Sequence, residues 1–131
     1  MEAFVHHICI QTNQYEASLA FYQKLGFQLV QETPGFHGRS YNTWLTLDGF
    51  HIELQTGKGE LTPVGGTETE GLVHFCIWVE DLEKALRTLD FDDSLFLLKN
   101  GKRIYTVENG QLCKLKAPEG TIVELRNQRG I

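Results

Sequence analysis

Four residues of this chain have the types and spacing to hold a divalent metal ion: His7, Glu53, His74 and Glu124. Neutral imidazole supplies nitrogen, carboxylate supplies anionic oxygen, and two of each balance the charge of a dication. No thiolate is needed, so Ni²⁺, Zn²⁺, Co²⁺, Mn²⁺ and Fe²⁺ all suit such a set. Four protein donors on an octahedral ion leave two positions for water or substrate, which separates a catalytic site from a closed structural one. Taken singly, a strand His is usually hydrogen-bonded or exposed, and a strand Glu usually faces solvent. These four differ because they come as two pairs at equivalent points of a repeat.

The repeat is legible directly. His7-Ile8-Cys9-Ile10 recurs as His74-Phe75-Cys76-Ile77, and in step with it Glu16, Leu19 and Tyr22 fall on Glu83, Leu86 and Leu89. Later in each half, Gly49-Phe50-His51-Ile52-Glu53-Leu54 is echoed by Gly120-Thr121-Ile122-Val123-Glu124-Leu125. Two echoes in the same order imply a tandem duplication.

Each copy predicts the same elements. A β-rich segment over 4–11 precedes a helix over about 14–25, opened by the capping-box spacing of Asn13 and Glu16 and stopped at Gly26. Tyr15, Leu19, Tyr22 and Leu25 form its apolar face. Strands follow over about 27–32, 41–47 and 50–55. The second copy predicts a strand over 72–79, Asp81 as N-cap of a helix with Leu82, Ala85, Leu86 and Leu89 in its stripe, then strands near 95–98, 111–117 and 121–127. The Gly- and Pro-containing stretch 57–71 reads as a linker between module 1 (about 4–56) and module 2 (about 72–128). The expected fold is therefore α+β, two tandem βαβββ modules within a single domain of 1–131.

Period-two arithmetic decides which side chains meet. His7, Cys9 and Gln11 share a face, as do His51, Glu53 and Gln55; in the second copy the sets are His74, Cys76 and Trp78, then Ile122, Glu124 and Arg126. The opposite faces are apolar and suit packing under the helices. Two His and two Glu on matched faces are either solvated or converge on a ligand. His6 and His37 lack repeat partners and read as structural or surface residues. His51 is paired with Ile122 and at most lines the pocket. Cys9 and Cys76 have no basic sequence neighbour, so they read as small packing residues rather than nucleophiles.

Composition excludes other classes. With 41% hydrophobic and 22% charged residues, the chain is ordinary globular material rather than disordered. No apolar run approaches the ~20 residues of a membrane span. The start, Met1 to His7, lacks the pattern of a signal peptide. A net charge of −5 with scattered Lys and Arg offers no nucleic-acid stripe. Three cysteines (Cys9, Cys76 and Cys113) fit reduced thiols in the cytoplasm rather than a disulfide framework.

Paired βαβββ modules, a His opening each, Ala20-Phe21-Tyr22 leading to Leu25-Gly26-Phe27, the turn Ala117-Pro118-Glu119-Gly120 and two Glu-Leu strand ends together resemble the vicinal-oxygen-chelate superfamily. That superfamily includes glyoxalase I, bleomycin- and fosfomycin-resistance proteins, methylmalonyl-CoA epimerase and extradiol dioxygenases. The resemblance spans nearly the whole chain. It implies a curved, partly open mixed sheet around one divalent metal ion, with His7, Glu53, His74 and Glu124 as ligands in the glyoxalase I pattern. Extradiol dioxygenases and fosfomycin-type transferases typically lack a carboxylate at the place of Glu53, and methylmalonyl-CoA epimerases generally carry Gln there. Bacterial glutathione-dependent relatives hold glutathione with an Arg and an Asn, where this chain has Gln11 and Gly57.

The resemblance implies a metal-dependent lyase or isomerase that moves a proton between adjacent carbons through an enediolate. Its substrate would be small and oxygenated, such as a 2-oxoaldehyde–thiol hemithioacetal. Glu124 is the first choice of base, Glu53 its symmetric partner, and Gln11, Gln55, Trp78 and Arg126 stand ready to orient substrate. A homodimer is implied by resemblance alone. The alternatives are a thiol transferase of the fosfomycin-resistance type and a non-catalytic, bleomycin-resistance-like binding module.

Overall fold

Alternation of apolar and polar residues makes each strand of the first module two-faced. Strand β1 (His7–Gln11) buries Ile10 and turns His7, Cys9 and Gln11 the other way. Helix α1 (Tyr15–Lys24), β2 (Gln28–Phe36), β3 (Arg39–Leu47) and β4 (Phe50–Gln55) complete the module. The computed structural model describes residues 1–131, which divide into two compact units, Met1–Pro63 and Val64–Ile131. In the first, the sheet runs β1-β4-β3-β2, with β1 and β4 parallel and the other pairs antiparallel.

The second unit repeats this plan. Its elements are β5 (His74–Trp78), α2 (Leu82–Leu89), a 3₁₀ turn (Asp93–Leu95), β6 (Tyr105–Val107), β7 (Gly110–Lys116) and β8 (Ile122–Arg126). The order β5-β8-β7-β6 again places the first and last strands side by side and parallel. The fold is α+β, built from two βαβββ modules with mixed four-stranded sheets. No helix is long and apolar enough to cross a membrane.

One face of each sheet is packed dry. In the first unit Tyr22 of α1 and Leu45, Ile52 and Leu54 of the sheet are fully buried; in the second Leu82, Leu115, Val123 and Leu125 play that part. Alternation then fixes what the other face carries. The Asp48-Gly49 turn, with φ of 47° and 81°, has the left-handed geometry of a tight two-residue hairpin. It sets the β3–β4 register and so places Trp44 directly opposite Glu53.

Two local expectations are corrected. Asn13 does not cap α1: Gln14 is the N-cap and has no side-chain capping bond. Asn13 instead bonds the loop beyond β4, donating from Nδ2 to the Leu61 carbonyl at 2.9 Å and accepting at Oδ1 from Leu61 N–H at 3.0 Å. A two-point amide clamp wins over one capping bond. The strand expected near 95–98 is also absent. Asp92 accepts from Ser94 N–H at 2.8 Å and starts a 3₁₀ turn, leaving Phe96 with a single bridge to Leu115. Tyr105–Val107 takes the sheet edge instead. Asp81, by contrast, caps α2 as expected, accepting from Lys84 N–H at 3.0 Å.

Gly57 shows why one residue departs from the pattern of glutathione-dependent relatives. A Cβ there would lie 2.5 Å from the Gly59 carbonyl oxygen and 2.7 Å from Leu61 Cδ2. We expect Gly57→Asn to displace this turn and loosen the Asn13 clamp, costing on the order of 1–3 kcal/mol in urea unfolding. An unchanged midpoint would show that the turn yields freely.

Candidate metal centre

In the first module, parallel pairing of β1 with β4 places Cys9 beside Glu53 and His7 beside His51. His7 Nε2 lies 3.6 Å from Glu53 Oε1. In the second module the same pairing places Cys76 beside Glu124, and His74 Nε2 lies 3.5 Å from Glu124 Oε1. Two donors each ~2.1 Å from one ion, at tetrahedral or octahedral angles, lie roughly 3.0–3.4 Å apart. Both pairs are close to that separation and present a nitrogen and an oxygen together, so each fits as a two-donor pair for a metal ion. No cluster of three or more His, Cys, Asp and Glu forms within either module.

The two His–Glu pairs are supported differently. Glu53 is held from behind: its Oε2 accepts from Asn42 Nδ2 at 3.2 Å. Asn42 is 2% exposed, and its Oδ1 is buried without a partner. Leu112 occupies the equivalent register position in the second module, so Glu124 has no such amide. Glu124 is nonetheless the more enclosed carboxylate, with its side chain 8% exposed against 20% for Glu53.

The histidines differ too. His7 Nδ1 meets His6 Nδ1 at 2.9 Å, and its ring packs edge-on to Trp44 with centroids 4.8 Å apart. His6 also stacks on His51 at 5.9 Å. His6 thus touches a candidate ligand, although it has no repeat partner to betray it. His74 Nδ1 is buried without a partner.

Of the expected substrate contacts, Gln11 and Gln55 come together. Gln11 Oε1 accepts from Gln55 Nε2 at 3.3 Å and from the Arg39 guanidinium at 2.8 Å. The same Arg39 nitrogen donates to the Thr56 carbonyl at 2.8 Å. Trp78 is tied down by a bond from Nε1 to the Asn127 carbonyl at 3.0 Å, with Arg129 over its ring. Arg126 lines a cleft of about 250 Å³ in the second module together with His74, Leu112 and Glu124. Sequence reasoning missed Asn42, Arg39 and His6. Extending the period-two count to β3 finds Asn42 beside Trp44; no comparable signal marks Arg39.

Cys9 and Cys76 are exposed, yet their surroundings do not prime them as nucleophiles. Desolvation, then the neighbouring Glu53 charge, pushes Cys9 up to about 11; desolvation and Glu124 push Cys76 up to about 12. At pH 8 the thiolate fraction is then depressed at least about a hundredfold against an ordinary cysteine. Iodoacetamide should accordingly label metal-free protein far more slowly than free cysteine, and labelling of Cys9 or Cys76 at the free rate would contradict the assignment.

Against this geometry, comparison with known proteins is direct. The model of the glyoxalase/bleomycin resistance protein/dioxygenase superfamily matches residues 4–124. The Bacillus subtilis (strain 168) protein YwkD, itself uncharacterized, is 40% identical over 87 residues, covering 65% of this chain and 68% of that protein. A glyoxalase family protein from Enterococcus faecalis superposes with a TM-score of 0.75 at 21% identity, over 94% of this chain and 96% of its own. The fosfomycin resistance protein FosX from Listeria monocytogenes, crystallised as a point mutant with Mn(II) and 1S,2S-dihydroxypropylphosphonic acid, superposes with a TM-score of 0.67 at 12% identity. That match covers 98% of this chain and 94% of the FosX chain. Both structures share the fold of this protein. The chain belongs to the glyoxalase/bleomycin resistance protein/dioxygenase superfamily.

Proposed function

We propose that this chain is a metal-dependent lyase or isomerase of the glyoxalase I kind, cytoplasmic and homodimeric, acting on a small oxygenated substrate such as a 2-oxoaldehyde–thiol hemithioacetal. The observation that carries the reading is the matched pair of His–Glu contacts, at 3.6 and 3.5 Å, on equivalent strands of the two modules. His7, Glu53, His74 and Glu124 are the proposed ligands of one divalent ion. When bound, that ion supplies positive charge for adjacent substrate oxygens that become anionic.

The protein's own groups then divide the work. His7, backed by His6, and His74 anchor through Nε2. Glu53, tethered by Asn42, stays a fixed donor. Glu124 lacks that tether and is more enclosed, which suits a carboxylate that accepts a proton from one substrate carbon and returns it to the neighbouring one. Gln11, Gln55, Trp78 and Arg126 orient the substrate.

The presence of Glu53 sets this reading apart from the fosfomycin-type one. The test is conversion of methylglyoxal, premixed with glutathione or with other low-molecular-mass thiols, by metal-loaded protein. Metal-dependent thioester formation with any of these thiols supports it. Metal-loaded protein inert with every thiol would overturn it in favour of a different enzyme of the same fold.

A further inference from the structure

The duplication is broken in charge. On the polar face of the first module the neighbours of Glu53 are neutral: Trp44 stands opposite it on β3, and Gln55 lies two residues on. At the equivalent positions of the second module stand Lys114, opposite Glu124 on β7, and Arg126, two residues along β8. Thr46 is matched in the same way by Lys116. A chain with net charge −5 has thus gathered cations beside one carboxylate. Neither Lys114 nor Arg126 forms an ion pair there, since those of this module join His74 to Glu124 and Arg103 to Asp93, although Glu108 lines the same cleft as Arg126. In the first module Arg39 is already engaged by Gln11 and the Thr56 carbonyl.

A second observation comes from Arg126 itself. Its Nε is buried and has no hydrogen-bond partner, although the side chain lines the cleft that also holds His74 and Glu124. The side chain is part-exposed, and in that cleft its guanidinium can meet an oxyanion with a charge-assisted bond. The guanidinium is planar and suited to paired oxygens, whereas Lys114 contributes a mobile point charge.

The geometry points to an oxyanion subsite in the second module, in which Arg126 and Lys114 grip a carboxylate or phosphonate group of a small substrate whose reacting end lies at His74 and Glu124. This deepens the metal-enzyme reading and takes its catalytic meaning from it: the substrate is anionic, and its charged group is held beside Glu124.

The experiment is calorimetric titration of lactate, methylphosphonate and neutral 1,2-propanediol into the protein. Wild type, Arg126→Gln, Lys114→Met and the first-module control Lys58→Ala are compared, with metal content and thermal midpoint measured on each sample. Both substitutions keep most of the apolar stem, so folding is preserved. Wild type should bind one of the two anions at least about tenfold more tightly than propanediol, and the variants at Arg126 and Lys114 should each lose about tenfold of that affinity. The better of lactate and methylphosphonate identifies the group. Equal binding of anion and diol, or variants that bind as wild type does, would overturn the subsite. The metal readout separates the two ideas: metal with no anion preference sinks only the subsite. An Arg126-dependent anion preference without metal sustains the subsite and sinks the enzyme reading.

Discussion

Glu124→Gln is expected to leave the bound metal in place and to lower kcat by about 10²- to 10⁴-fold, the usual worth of a positioned general base. Glutamine keeps an oxygen donor beside His74 Nε2, so the charge and proton affinity are lost while the shape survives. The two carboxylates are held differently. Glu53 is restrained by Asn42 at 3.2 Å, whereas Leu112 stands at the place of Asn42 in the second module, so Glu124 has no such amide and is the more enclosed of the two. Glu53→Gln should therefore act mainly on metal affinity. Steady-state kinetics on metal-loaded variants decide the matter, and a kcat collapse in Glu53→Gln with Glu124→Gln near wild type would reverse the roles.

The second large effect is expected at Asn42, where stability and function should move in opposite directions. Asn42 is buried, spends its amide nitrogen on Glu53 and leaves its amide oxygen without a partner. A leucine of similar shape removes one hydrogen bond and one orphaned acceptor, a costly group to bury, so Asn42→Leu should be neutral or stabilising by about 1 kcal/mol. It should also free Glu53 and weaken metal binding by about 10- to 100-fold, as the loss of a ligand's supporting partner generally does. Urea unfolding of metal-free protein and a competitive chelator titration read the two effects separately. A destabilised variant with unchanged metal affinity would make Asn42 a packing residue only.

The strand faces were legible in the sequence because a two-residue period and an internal repeat constrain each other. One copy alone would have left His7 and Glu53 as ordinary exposed strand residues. With two, the pairings of Cys9 with Glu53 and Cys76 with Glu124 follow the same register. Elements whose partners lie far along the chain were not legible. The Asn13 amide has the right spacing to cap α1, but its binding to Leu61 depends on where the chain returns after β4. Leu95 to Leu98 are apolar enough for a strand, yet Asp92 turns the backbone before one can form. Arg39 reaches Gln11 across the sheet rather than along it, so no periodicity in β3 announces it. His6 was set aside for want of a repeat partner, although its ring nitrogen meets that of His7. Support around a candidate ligand thus came from residues outside the repeat, where the copies have diverged.

The most direct test of the account is the metal content of tag-free protein, wild type beside Glu53→Ala, after exposure to Ni²⁺, Zn²⁺, Co²⁺ and Mn²⁺. About one ion per chain is expected in wild type and a clear loss in the variant, because removing one of the four proposed donors weakens binding while the fold persists. Wild-type protein that retains none of these ions would contradict it and leave a binding module in its place.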